Sequence, residues 1–284
     1  MDVVRWHRRP RLRHPVLVAA FEGWNDAADA ASAAARYLAE ALEAEPVATI
    51  DAEEFYDFTV VRPHVRIVDG LTREIRWPEP EVTVAVLDDL DRDVVFLQGA
   101  EPQLRWRAFA ATVAGVAQAL EVELALTLGA LLAEVPHTRP VRVTGTAPDA
   151  ELAEELGFER PRYEGPVGIV GVLQDAFTRA GIPSASLWAA VPHYVAKTPS
   201  PKATLALVER AAGVLGVPID TVDLEIAAAA YERQISEVVS DDEDVAEYIR
   251  RLEDSDDDPV LRNELTGDSL AREAERFLRE QGDD

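Results

Sequence analysis

The chain has 284 residues, a formal net charge of −25, 48% hydrophobic residues and no cysteine. That is enough apolar material for a large core, and the missing thiols exclude disulfides, thiolate nucleophiles and cysteine-ligated zinc. An acidic balance of this size repels phosphate backbones, and no apolar run reaches the roughly 20 residues of a membrane helix, so neither nucleic acid nor membrane is an expected partner.

In chain order, residues 2–14 carry Arg5, Arg8, Arg9, Arg11 and Arg13 without an apolar stretch. They are therefore not expected to be a secretory leader, and a cytoplasmic location is the default expectation. The apolar run 16–20 leads into Phe21-Glu22-Gly23-Trp24-Asn25-Asp26 and then an alanine-rich segment ending near Ala44. This pattern predicts strand, tight turn and helix, with Asn25 as N-cap. Asp26 and Asp29 would then lie in the first turn, where the helix dipole favours carboxylates. Ligands often bind at such strand-to-helix turns in α/β proteins, but a single glycine is not a dinucleotide fingerprint.

Further strands are predicted over 47–50, 82–87, 94–97, 124–128, 141–144 and 186–191, and helices over 27–44, 107–122, 150–156, 168–180 and 201–215. Two hairpins interrupt the β-α alternation. Residues 65–68 and 73–77 flank Asp69-Gly70, which suits a type I′ turn, and 82–87 and 94–97 flank the acidic run 88–93. The expectation is an α/β fold with helices on both faces of a mixed sheet. Asp89, Asp91 and Asp93 imitate the start of a calcium loop, but Val94 and Ala100 stand where that loop needs glycine and glutamate. They read as a solvated turn, and no metal is expected.

The last part of the chain changes character, so a core domain is expected over 1–218 and an acidic helical segment over 219–284. Residues 220–284 hold 22 acidic and 7 basic side chains. Asp220 is expected to cap a helix to about Val239, and Ser240 with Glu243 forms a capping box for a second helix. Asp268 or Ser269 would cap a third, ending near Glu280. An apolar series through Leu224, Ala228, Tyr231, Ile235, Val238, Val245, Ile249 and Leu252 must meet something apolar. The expected partner is the core or a neighbouring subunit.

Sequence motifs for chemistry are scarce. There is no G-x-x-x-x-G-K loop, no G-x-S-x-G elbow and no metal-binding histidine pair among the five histidines, so no cofactor is expected. What remains is a polar constellation at predicted strand ends: Glu22, Asn25 and Asp26 after the first strand, Glu101 after Gly99, and His137 and His193, each preceded by proline. If these ends converge, two carboxylates and two imidazoles share a cleft suited to acid–base work. Otherwise His137 and His193 are structural histidines bonded to backbone or to glutamate. Trp24, Trp106 and Trp188 are either partner anchors or core residues. Arg105, Arg107 and Arg139 either bind a carboxylate, hold Glu101 or form salt bridges.

Four stretches also resemble the proteasome assembly chaperone 2 family in its prokaryotic branch. They are Phe21-Glu22-Gly23-Trp24-Asn25-Asp26-Ala27; Gln98-Gly99-Ala100-Glu101-Pro102 with Arg105-Trp106; Val135-Pro136-His137-Thr138-Arg139-Pro140; and Leu187-Trp188-Ala189-Ala190-Val191-Pro192-His193-Tyr194-Val195. Their order and spacing match over about residues 1–215. The resemblance implies a three-layer α/β/α fold like that of phosphorylases and hydrolases, and a protein-binding, assembly-chaperone-like role without assigned catalysis. It also implies protein partners such as proteasome subunits, and a homo-oligomer, with a trimer as the expected form. Gly23, Asn25, Asp26, Glu101, His137 and His193 fall in the matching stretches. The long acidic tail departs from the minimal chaperone fold. The alternative reading is a small-molecule-binding protein or hydrolase-type enzyme that uses a polar cleft at the strand ends.

Overall fold

The computed structural model describes residues 3–256. Its strands are β1 (Val4–Trp6), β2 (Val16–Glu22), β3 (Glu45–Ile50), β4 (His64–Val68), β5 (Thr72–Arg76), β6 (Glu81–Ala85), β7 (Val94–Ala100), β8 (Leu124–Ala133), β9 (Val143–Thr146) and β10 (Ser184–Pro192). Its helices are α1 (Ala30–Ala41), α2 (Trp106–Ala119), α3 (Ala150–Leu156), α4 (Ile169–Arg179), α5 (Pro201–Leu215), α6 (Val222–Ser240) and α7 (Glu243–Asp256).

Eight strands form one sheet in the order β1-β3-β6-β7-β2-β8-β10-β9. The central β7, β2, β8 and β10 run parallel, while β1, β3 and β6 on one side and β9 on the other pair antiparallel. Strand β2 shows why the centre reads as an unbroken apolar run: it is buried on both faces. Val16, Val18 and Ala20 face the layer of α1 and α5, and Leu17, Ala19 and Phe21 face the layer of α2 and α4. On the second face Phe109 of α2 meets Phe21 and Phe55 edge-on, with centroids 5.8 and 5.2 Å apart. The fold is the expected three-layer α/β/α arrangement with a mixed sheet.

Both expected hairpins form. Among the described residues, strands β4 and β5 pair only with each other, in register Val65↔Ile75 and Ile67↔Arg73. Asp69 and Gly70 both have positive φ (54° and 72°), as a type I′ turn requires. Strand β1 was not anticipated. It is a three-residue, partly exposed edge strand against β3, set among arginines that hide its pattern.

The turn after β2 differs from expectation. Helix α1 starts at Ala30, not at residue 27, because Ala28 and Asp29 both take left-handed φ of 54°. Asn25 does not cap it. Asp26 does, through Oδ1, which accepts from Ala31 N–H at 2.7 Å and Ser32 N–H at 3.1 Å. At the other end of the chain α6 begins after Thr221, and Asp220 instead accepts from Val222 N–H through its side chain. The predicted capping box is also displaced. Ser240 ends α6, donating to the Glu237 carbonyl, and Asp242 receives the Asp244 and Val245 N–H groups at the start of α7. Leu224, Ala228, Tyr231 and Ile235 are buried as α6 packs on α5, and Ile249 and Leu252 of α7 are buried too, but Val238 is exposed. The predicted third helix lies outside the described residues.

The acidic run 88–93 also departs from the solvated-turn reading. Asp93 is fully buried. Its carboxylate accepts from Arg13 N–H at 2.7 Å, Leu87 N–H at 2.9 Å and the Arg13 guanidinium at 3.3 Å, which fastens the β6–β7 connection to the approach to β2. Removing this acceptor leaves two backbone donors unsatisfied. Asp93→Ala is therefore expected to lower the unfolding free energy by about 2–4 kcal/mol in urea denaturation. An unchanged midpoint would contradict that role.

Candidate functional site

The carboxyl ends of β2, β8 and β10 open into a cleft of about 1490 Å³, the position where open α/β sheets bind ligands. One wall is the turn Gly23-Trp24-Asn25-Asp26, and the opposite side carries His193, Tyr194 and Lys197. The segment 159–168 covers part of the opening, and α6 contributes Gln234, Ile235 and Val238.

The turn is held in place from behind by Glu101, at the end of β7. Its Oε1 accepts from Asn25 Nδ2 at 2.9 Å and from Ile169 N–H, the first residue of α4, at 2.8 Å. The Trp24 backbone N–H adds another hydrogen bond to the carboxylate. A carboxylate at a helix N-terminus also gains from the dipole. Burial nevertheless dominates and raises the Glu101 pKa above the ordinary carboxyl range, against the opposing effect of those donors. Gly168 makes the arrangement possible, since a Cβ there would come within 2.0 Å of Asn25 Nδ2. Asn25 also accepts from Ala130 N–H through its carbonyl at 2.8 Å, which ties the turn to β8.

Asp26 is 5% exposed. Its Oδ1 caps α1, whereas Oδ2 is buried and has no hydrogen-bond partner among the described residues. Burial is the largest cause of its raised pKa, opposed by hydrogen bonds from Ser32 and Ala31.

The structure thus brings Gly23, Trp24, Asn25, Asp26, His193 and Tyr194 to one cleft. Glu101 stands behind that wall, and Glu22 points to the surface near Arg36 at 3.5 Å. Gly99 lies against Pro80, where a Cβ would come within 3.0 Å of the Pro80 Cα. Trp106 opens α2 and donates through Nε1 to the Pro102 carbonyl. His137 and Arg139 border a separate small crevice of about 30 Å³. There the His137 ring is bonded to Tyr194 Oη at 2.9 Å and Ser236 Oγ at 3.0 Å, and its carbonyl accepts from Lys202 Nζ at 2.6 Å. Burial, helped by the Lys202 charge, lowers its pKa. The two histidines therefore do not share a cleft, although Tyr194 touches both rings, with centroids 5.9 and 5.5 Å apart.

Several cleft residues are not among those singled out from the sequence: Thr144, Arg160, Arg162, Tyr163, Gln174 and Lys197. The dense Arg-Pro-Arg-Tyr-Glu-Gly-Pro run was a usable hint, since polar and aromatic residues on a proline- and glycine-rich loop often face a site. Among the described residues no three His, Asp or Glu side chains gather in a metal-binding group, and no helix is long and apolar enough to cross a membrane.

Fold and site together define a three-layer α/β/α protein with an open cleft at the carboxyl ends of its parallel strands. The chain belongs to the PAC2 family, whose model matches residues 20–239. It is similar to a PAC2 family protein from Streptomyces avermitilis, with 48% identity, TM-score 0.78, and 82% of this chain and 99% of that chain covered. It is similar also to the proteasome-assembly chaperone homologue Rv2125 of Mycobacterium tuberculosis, with 49% identity, TM-score 0.75 and the same coverage. A protein of unknown function from Corynebacterium glutamicum matches at 25% identity and TM-score 0.81, over 92% of this chain and 99% of that one. A search of curated proteins finds no match.

The raised pKa of Glu101 has a definite sign. The folded state holds its proton more tightly than the unfolded chain does. Its contribution is complete below the unfolded carboxyl pKa and is lost as pH rises through the higher folded value. Glu101→Gln keeps the acceptor but not the charge. Its melting temperature should therefore gain on wild type as pH rises from about 4 to about 7. Glu101→Ala should be less stable by about 1–3 kcal/mol throughout that range. A constant difference between the Gln variant and wild type would refute the assignment.

Proposed function

We propose that the chain is an assembly-chaperone-like, protein-binding member of its family that acts on proteasome subunits in the cytoplasm. The observation that carries this reading is its 49% identity to the Mycobacterium tuberculosis proteasome-assembly chaperone homologue, over nearly all of that protein. The surface supports it as well. Val65, Ile67 and Ile75 share one face of the isolated β4–β5 hairpin by strand alternation and are all more than half exposed, and Leu71 at its tip is 91% exposed. An isolated two-stranded ribbon gains little from self-association of its own strands, and an apolar ribbon face suits contact with another protein. The proposal includes a homo-oligomer, with a trimer as the form implied by the family likeness. Residues 219 onward are taken as a helical segment appended to the core at 1–218.

The test is gel filtration of the purified full chain with proteasome α subunits from the same host, with mass measured by light scattering. Co-elution is expected, and Val65→Ser/Ile67→Ser/Ile75→Ser should weaken it by about tenfold or more while leaving the melting temperature unchanged. Absence of any complex at tens-of-micromolar concentration (about 10–50 μM) would remove the proteasome reading. A monomeric mass for the chain alone would remove the oligomer.

A further inference from the structure

The cleft has a constructed interior. Strand register aligns Gly129, Trp188 and Thr144 across β8, β10 and β9. A Cβ on Gly129 would fall 2.5 Å from two atoms of the indole, so the bare backbone of β8 is what lets the Trp188 ring lie where it does. One pleat deeper, Thr127, Ser186 and Thr146 form a polar row. Thr127 Oγ1 and Ser186 Oγ are 2.5 Å apart, and Gln174 Nε2 donates to Ser186 Oγ at 2.6 Å. Gln174, Thr144 and Thr146 belong to the cleft lining, so hydrogen-bonding groups meet an occupant beside the aromatic ones. In the wall, Asp26 keeps a buried carboxylate oxygen without a partner among the described residues, at 5% residue exposure.

The mouth carries both signs of charge: Asp29 and Glu159 belong to the lining, and three basic side chains stand with them. Arg160, Arg162 and Lys197 are exposed at its edge, and none of the three enters a hydrogen bond or ion pair among the described residues. The whole chain carries −25 and many of its other arginines are paired with carboxylates. Tyr163 braces the arginine-bearing loop by donating to the Pro166 carbonyl at 2.8 Å. Unpaired guanidinium groups beside a cleft select anions, and arginine in particular grips phosphate through paired donors. Aromatic side chains select a planar group. The volume admits a ligand larger than a mononucleotide.

We infer that this cleft is a nucleotide-binding site. The base lies among Trp24, Trp188 and Tyr163, with its polar edge toward Gln174 and the threonines, and the phosphates lie against Arg160, Arg162 and Lys197. The ligand chemistry is a planar heterocycle joined to phosphate, shared by mononucleotides and by larger nucleotide-containing cofactors. The site includes no residue of the hairpin, and it implies no reaction.

The test is isothermal titration of the full chain with the four ribonucleoside monophosphates, with NAD and coenzyme A, and with adenosine and inorganic phosphate alone. Saturable binding by at least one phosphate-bearing nucleotide is expected at a Kd below about 100 μM. A mononucleotide result and a result confined to NAD or coenzyme A identify which source the site takes. Adenosine and phosphate alone should bind at least about tenfold more weakly, because each supplies only half of the contacts. Arg160→Ala/Arg162→Ala should weaken nucleotide binding by about tenfold or more and leave the melting temperature unchanged, since both side chains are exposed and make no ion pair among the described residues. Gly129→Ala, which displaces the Trp188 ring, should weaken it independently. The inference falls if no nucleotide binds at about 1 mM, if phosphate alone matches the nucleotide, or if the double arginine variant retains wild-type affinity.

Discussion

The arrangement of the cleft depends on one partly buried carboxylate. Glu101 sits where three pieces of chain end or begin: the carboxyl end of β7, the turn after β2 and the first residue of α4. The turn brings the Trp24 N–H and Asn25 Nδ2, α4 brings the Ile169 N–H, and the one carboxylate at the end of β7 accepts from all three. A carboxylate withdrawn from water is costly unless its lone pairs are used. Here the same donors that offset its desolvation fix the position of Trp24 and Asn25. Acid–base chemistry would need a proton acceptor facing the opening, and Glu101 is turned inward to the backbone.

Much of the fold was legible because the central strands are buried on both sides. Such strands are apolar at nearly every position, so residues 16–20, 94–97 and 124–128, with Thr127 the one polar residue among them, stand out without any knowledge of neighbours. Edge elements give weaker signals. Strand β1 has three residues and one partly covered face, and its neighbours are arginines. Helix boundaries failed where the backbone adopts φ values that propensity does not encode. Ala28 and Asp29 look helical by type, yet both are left-handed, and this moves the start of α1 by three residues.

The site was legible in part for a related reason. Asn25 and Asp26 are recognisable as turn residues after a strand, but what they do depends on groups far along the chain. Asn25 reaches Glu101 and Ala130, and Asp26 caps a helix that begins beyond two strained residues. His137 and His193 occupy matching Pro-His contexts, yet one ring is enclosed by α6 and the other borders the cleft. Asp93 resembled its exposed acidic neighbours and is fully buried, because only tertiary contact distinguishes a carboxylate that receives two amides from one that faces water. The arginines at 160 and 162 lie in a segment without periodicity, whose proline- and glycine-rich composition hints at a site without saying which cleft it borders.

Among the described residues, the β4–β5 ribbon exchanges its ladder hydrogen bonds with no strand of the main sheet. An element with so few ties to the core belongs at the low end of the local stability scale. A partner that reorients or reshapes this ribbon disturbs few core contacts. Variation in its apolar face is accordingly free of the packing constraints that fix apolar side chains inside the main sheet.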